Sequence, residues 1–272
     1  MRLAACVYDE KGDAAPPKLL IWDTKTGRPI GVPVNGPPLV LTKLAFNNDG
    51  TKLAAGTRPV EGQGPTGAQT GVIYMWNLSV SPPVVKELSG HTDEVSDVAF
   101  RPDGRSLASC GFDGTIRFWD TASGRSSGPV LELFHRVTRV AFSPDGQVLA
   151  SQTQLSFSNQ ASVLQLWDVS TGKSIGQPRK IGNNWNLLKA PFNHSGTLMA
   201  TIEGLGEKTA LTLWDTDVKS WQERACNIAN RNLSRREWLN YFSDRSYHKT
   251  KLSLPEPLTI ARPKHSTDEE TF

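Results

Sequence analysis

No run of about 18 apolar residues, the length a bilayer-spanning helix needs, occurs anywhere in this sequence. The start, Met1-Arg2-Leu3-Ala4-Ala5-Cys6-Val7-Tyr8-Asp9, turns polar too soon for a secretory signal. These absences leave no membrane partner and place the chain, as an expectation, in the cytoplasm. Cysteine is scarce: Cys6, Cys110 and Cys226 are an odd number spread over the chain, with no C-x-x-C or Cys/His cluster between them. That excludes a disulfide framework and a zinc site, and it predicts buried, reduced thiols. The five histidines never gather at metal-ligand spacing. Gly62-Gln63-Gly64-Pro65-Thr66-Gly67 has the letters of a dinucleotide fingerprint, but Thr70–Trp76 after it reads as a strand, where the fingerprint needs a helix. Neither a cofactor nor a metal is expected.

Charge is equally uninformative over most of the chain. The net charge is +3, and residues 1–217 carry 20 basic and 20 acidic side chains. The excess lies beyond them, with Arg224, Arg231, Arg235 and Arg236 in a basic cluster. A nucleic-acid-binding surface would show a basic stripe across the folded part. A nucleic-acid partner is therefore not expected, and weak nucleic-acid or anion binding through the basic C-terminal segment stands only as an alternative.

What the chain does contain is a repeat. Leu19-Leu20-Ile21-Trp22-Asp23 returns as Val72-Ile73-Tyr74-Met75-Trp76-Asn77, Thr115-Ile116-Arg117-Phe118-Trp119-Asp120, Val163-Leu164-Gln165-Leu166-Trp167-Asp168 and Leu211-Thr212-Leu213-Trp214-Asp215. A second signal interleaves with it: Ala45-Phe46-Asn47-Asn48-Asp49-Gly50, Ala99-Phe100-Arg101-Pro102-Asp103-Gly104, Ala141-Phe142-Ser143-Pro144-Asp145-Gly146 and the degraded Pro191-Phe192-Asn193-His194-Ser195-Gly196. Asp-Gly presets a tight turn, because Gly accepts positive φ. Each unit thus reads as strand a, turn, strand b, loop, strand c ending in Trp-Asp, turn, and outer strand d.

This pattern resembles the WD-repeat β-propeller family over residues 1–217. The resemblance implies an all-β propeller segment of about five four-stranded blades, the first lacking strand a and the last lacking strand d. Stacking buries the faces that a single blade cannot bury alone, and the tryptophans fill the joints. In the third unit, the most complete, His91, Ser109, Asp113 and Trp119 match the family's structural hydrogen-bonded network. A Ser, His and Asp trio also suggests hydrolysis, but no G-x-S-x-G elbow accompanies it, so no catalytic residue is assigned. An enzyme with a propeller-funnel active site is kept as a rival.

Beyond Asp217, Val218, Trp221, Ala225 and Ile228 recur at helical spacing, and Ser234 to Glu237 forms a capping box. Two short helices packed on the last blade are expected over 218–252, and a disordered tail over 253–272. The run from Arg224 to Phe242 resembles the end of large bacterial proteins in which a signalling NTPase module precedes a WD-repeat sensor region. That resemblance implies further blades or an NTPase module in a longer protein. Gly172-Lys173-Ser174 imitates the end of a P-loop, but Trp167 stands where its first glycine is needed.

The expected function is a non-enzymatic scaffold or sensor that holds a protein partner on one face. Loop lengths choose the face. From each Trp to the next unit's Phe the distance is 24, 24, 23 and 25 residues, nearly constant. From strand b to the Trp it varies: taken from Leu3, Leu53, Leu107, Leu149 and Leu198 it is 19, 23, 12, 18 and 16 residues. The variable insertions fall between strands b and c, which place them on one face. Tyr8, Arg58, Phe112, Leu155 and Phe157 are the candidate contacts there, since aromatic and Arg side chains dominate interface energetics.

Overall fold

In the computed structural model of the chain, residues 2–7, 17–31, 33–37, 39–58, 71–155, 162–181, 192–205 and 208–216 are described. The chain divides into two compact units, Met1–Thr216 and Asp217–Phe272. The helices expected over 218–252 and the tail over 253–272 lie outside the described residues, as do Cys226, Tyr8 and Phe157.

The first unit is a series of antiparallel meanders, with no helix among the described residues. Blade 1 is β1 (Arg2–Val7), β2 (Lys18–Asp23) and β3 (Val34–Asn35). Blade 2 runs β4 (Val40–Phe46), β5 (Lys52–Arg58), β6 (Val72–Asn77), β7 (Val84–Ser89), and blade 3 runs β8 (Val95–Phe100), β9 (Ser106–Gly111), β10 (Thr115–Asp120), β11 (Leu131–Glu132). Blade 4 has β12 (Val137–Phe142), β13 (Val148–Gln154), β14 (Ser162–Asp168) and β15 (Ser174–Ile181). Blade 5 has β16 (Leu198–Leu205) and β17 (Lys208–Asp215), with Phe192 adding an isolated bridge to Met199.

Turn chemistry explains why the chain reverses where it does. Gly50, Gly104, Gly146 and Gly196 of the strand a to strand b turns all have φ near 70°, a region that other residues adopt only with strain. At the strand c to strand d turns the aspartate of Trp-Asp caps the reversal. Asp23 Oδ1 accepts from the Lys25 and Thr26 amides, Asp120 Oδ1 from Ser123, and Asp168 Oδ1 from Ser170 and Thr171. The repeated aspartate is thus a turn residue.

Among the described residues, the apolar clusters join neighbouring blades. One apolar cluster joins Leu19 to Leu53, Ala55 and Trp76, and the next joins Ala54, Ile73 and Met75 to Val95, Leu107 and Trp119. A third joins Ala108, Cys110 and Phe118 to Val137 and Leu149, and a fourth joins Ala150, Leu164 and Ile181 to Met199. Each cluster spans one joint between consecutive blades. Strand a of blade 2 and strand a of blade 3 are each also stitched to strand a of the blade that follows. Thr42 Oγ1 donates to Val95 O at 2.6 Å, Ser96 Oγ donates to Val137 O, and Asp97 Oδ2 accepts from Val140 N at 3.2 Å. Register shifts in β4, β8 and β12 locally release their backbones from regular pairing along the same stretch.

Three expectations need correction. Trp76 and Trp119 are buried, but Trp22, Trp167 and Trp214 are only half-buried. Cys110 is buried, whereas the Cys6 thiol is half-buried near one end of the array of blades. In blade 5 the residue opposite the tryptophan is Met199, not Leu198, so the insertion is one residue shorter than the sequence count suggests. It does not form a loop either, because β16 and β17 pair out to Leu205 and Lys208 and leave only two residues between them.

Candidate functional site

Within each blade, chain direction sends the b–c loop and the link from strand d to the next strand a to the same end. At the junction of blades 3 and 4 this end carries a groove of about 260 Å³, lined among others by Phe112, Leu133, Phe134, Arg136 and Leu155. Phe112 belongs to the three-residue β9–β10 turn, Leu133 to Arg136 form the β11–β12 link, and Leu155 follows β13. Main-chain bonds hold these pieces at fixed separation: Phe112 N donates to Glu94 O at 2.8 Å, Leu133 N to Gly114 O at 2.8 Å and Gln154 N to Arg136 O at 2.9 Å. Gly114 makes the close approach possible. Its φ is +74°, and a Cβ there would lie 2.5 Å from Leu133 O.

The side chains of the groove mix apolar groups with the charged Arg136 and Asp113. The Arg136 guanidinium sits 4.4 Å from the centroid of the Phe112 ring, a cation–π arrangement. Phe134 is fully exposed, with no protein surface covering its ring. Near the groove, Glu94 is pushed above the ordinary carboxylate range, chiefly by burial; Arg58 and Arg136 oppose the rise and Asp93 adds to it. Arg58, the exposed last residue of β5, therefore shares an electrostatic neighbourhood with Arg136.

Beneath this surface His91, Ser109, Asp113 and Trp119 form one continuous chain of hydrogen bonds. Trp119 Nε1 donates to Ser109 Oγ at 2.8 Å, Ser109 Oγ lies 2.7 Å from His91 Nε2, and His91 Nδ1 lies 2.8 Å from Asp113 Oδ2. The His91 ring thus bridges the two, its Nδ1 facing the carboxylate and its Nε2 facing the hydroxyl. Burial raises the pKa of Asp113, yet the hydrogen bond and the charge of His91, with the Thr115 donors, outweigh it and hold the carboxyl down at about 2. The trio does not present a nucleophile, because Ser109 is fully buried and its oxygen already accepts the indole proton. Its geometric effect is to anchor Asp113, and with it the floor of the groove.

Of the five candidate contacts, the structure brings Phe112 and Leu155 together in this groove and sets Arg58 near it. Sequence reasoning missed Phe134 and Arg136. The run Leu133-Phe134-His135-Arg136 stands where the third unit has Gly90-His91, and an aromatic residue in a link otherwise given to a turn was the available signal.

The family description "WD domain, G-beta repeat" matches residues 82–120. The chain is 48% identical over 63 residues to an uncharacterized WD repeat-containing protein of Synechocystis sp., covering 23% of this chain and 18% of that protein. It is 30% identical over 173 residues to THO complex subunit 3 of Arabidopsis thaliana, covering 62% of this chain and 48% of the relative. To the guanine nucleotide-binding protein subunit beta of Zea mays it is 23% identical over 218 residues, covering 74% of this chain and 50% of the relative. The chain spans half or less of the length of these curated relatives.

Proposed function

Because this chain belongs to the WD-repeat family, we propose that it is a non-catalytic scaffold that binds a protein partner through the groove between blades 3 and 4. The observation that carries this reading is the exposed Phe134 beside the Arg136–Phe112 pair, mounted on a backbone that the Asp113 network holds rigid. Aromatic and Arg side chains presented in a preformed depression are the groups that dominate protein interfaces. Two of the relatives are named as subunits, which agrees with a role in assemblies. The likeness of the Arg224 to Phe242 run to bacterial signalling proteins further suggests that the scaffold serves as the sensing region of such a protein in the cytoplasm.

The test compares the full chain with its Phe134→Ala variant as baits in the source cell extract. Phe134 touches no core, so the variant should fold as the parent does. A partner retained by the parent should bind the variant about 30-fold more weakly, as loss of a hot spot worth about 2 kcal/mol implies. Equal affinity for both baits would move the binding site away from this groove.

A further inference from the structure

The joint between blades 2 and 3 has a mouth at the end of the blades opposite the groove, and its charge sets it apart from the same place in other blades. Cross-strand register puts Lys52, Asn77 and Val84 in one row of blade 2, and Ala54, Met75 and Lys86 in a second row on the same face. Ala54 and Met75 are buried against blade 3, and the two lysines stand half-buried beside them. The positions of Lys52 and Lys86 hold Arg2 and Ile30 in blade 1, Ser106 and Ser127 in blade 3, and Val148 and Ile175 in blade 4. Asn77 stands where those blades have Asp23, Asp120 and Asp168. Blade 2 therefore differs from these three in placing two cations at the mouth with no carboxylate in their row.

The two ammonium groups converge on consecutive residues of the β10–β11 turn. Lys52 Nζ donates to Thr121 Oγ1 at 2.7 Å, and Lys86 Nζ donates to Ala122 O. Beside them lies a cavity of about 140 Å³, lined also by Met75 and Asn77. Each lysine thus spends one of its three donors on a neutral oxygen. Among the described residues neither forms an ion pair with a carboxylate. Asp49 and Asp120 feel the charge of Lys52, but each turns its Oδ1 to its own turn, accepting from the Thr51 and Ser123 amides. Like charges gathered at one cavity repel unless an anion joins them.

We propose that this mouth is a binding site for a phosphate monoester group or free phosphate. The cavity is smaller than the roughly 300 Å³ at which pockets begin to enclose a drug-sized ligand, so it takes a group and not a whole cofactor. Two ammonium charges match the charge of about −1.5 to −2 that a phosphate monoester carries at pH 7, whereas a carboxylate would leave one of them unmatched. Lysine holds phosphate as a point charge and needs no planar fork. The remaining lysine protons and the Asn77 amide supply donors for the phosphate oxygens. The site lies at the other end of the blades from the groove and does not rest on it.

The test titrates the full chain with inorganic phosphate at constant ionic strength, read by the phosphorus-31 line width, and repeats this for Lys52→Met, Lys86→Met and Phe134→Ala. The parent should bind saturably, and Phe134→Ala should match it. Each lysine variant should bind at least about tenfold more weakly, as loss of one charge-assisted contact implies. Near-ultraviolet circular dichroism checks that each variant keeps the parent's fold. Should Lys52→Met disturb the Thr121 contact, Lys86→Met, on the outer strand of blade 2, still decides the outcome. An excess of acetate should leave the binding in place. A short peptide carrying phosphoserine, titrated in the same way, separates the two sources. Tighter binding than inorganic phosphate assigns the site to a phosphorylated partner, equal or weaker binding assigns it to free phosphate, and both support the site. Absence of saturable binding to either probe, full-strength binding by both lysine variants, or displacement by acetate overturns the proposal.

Discussion

Ala55 occupies the place at which Ser109, Ser151 and Thr201 accept the indole proton of their blade's tryptophan. Trp119, Trp167 and Trp214 donate to those hydroxyls at 2.8, 2.7 and 2.7 Å. Trp76, opposite Leu53 in the same register, has a buried Nε1 with no partner, because an alanine cannot accept. An unmet buried donor costs about 1–3 kcal/mol. Ala55→Ser should therefore raise stability by about 1 kcal/mol, read as a shift of the urea midpoint at constant slope. An unchanged or lower midpoint would mean that the added hydroxyl does not reach the indole.

At the scale of the element, the strand a seams do what cross-blade main-chain pairing cannot, and Asp97 is the titratable member. Burial pushes its carboxyl up to about 6, against the pull of the Val140 and Val98 amides and of the charges of Arg139 and Lys43. A folded pKa raised above the ordinary 3.8 means that the folded state holds the proton more tightly than the unfolded chain. The stabilisation is complete below about pH 4 and is lost as pH rises to about 6. Asp97→Asn should flatten that segment of the stability–pH curve; the same slope in the variant would assign it to another group. Strands b and c were legible from sequence because Trp-Asp and Asp-Gly mark both of their ends. Strand d was much less so, since β11 is two residues long and β7 begins with the exposed pair Val84 and Val85, which carry no alternation. The groove was half legible for a related reason. Phe112 and Leu155 lie at b–c loops, whose variable length drew notice, whereas Phe134 and Arg136 lie in a link whose constant length hid its unusual composition. The blade 5 insertion misled because hairpin extension and loop growth look alike when only residues are counted.

For the whole molecule, position in the array outweighs residue type. Leu53 and Leu3 are the same residue at the same place in the repeat, yet one is inside a joint and the other on an end. Leu53→Ala should cost about 2–5 kcal/mol, as large-to-small core changes do. Leu3→Ala, at an exposed position, should cost under about 0.5 kcal/mol. Equal costs in a chemical melt would mean that the blades do not stack as described. Packing between neighbouring blades also leaves the two ends of each blade free for different uses: the a–b and c–d turns at one end stay short, while the other carries the groove. The measurement that tests the binding role most directly is hydrogen–deuterium exchange of the full chain with and without its captured partner. Slowed exchange should fall on residues 112–114, 133–136 and 154–155. Protection confined to the opposite end, at residues 47–50, 101–104 and 143–146, would contradict it.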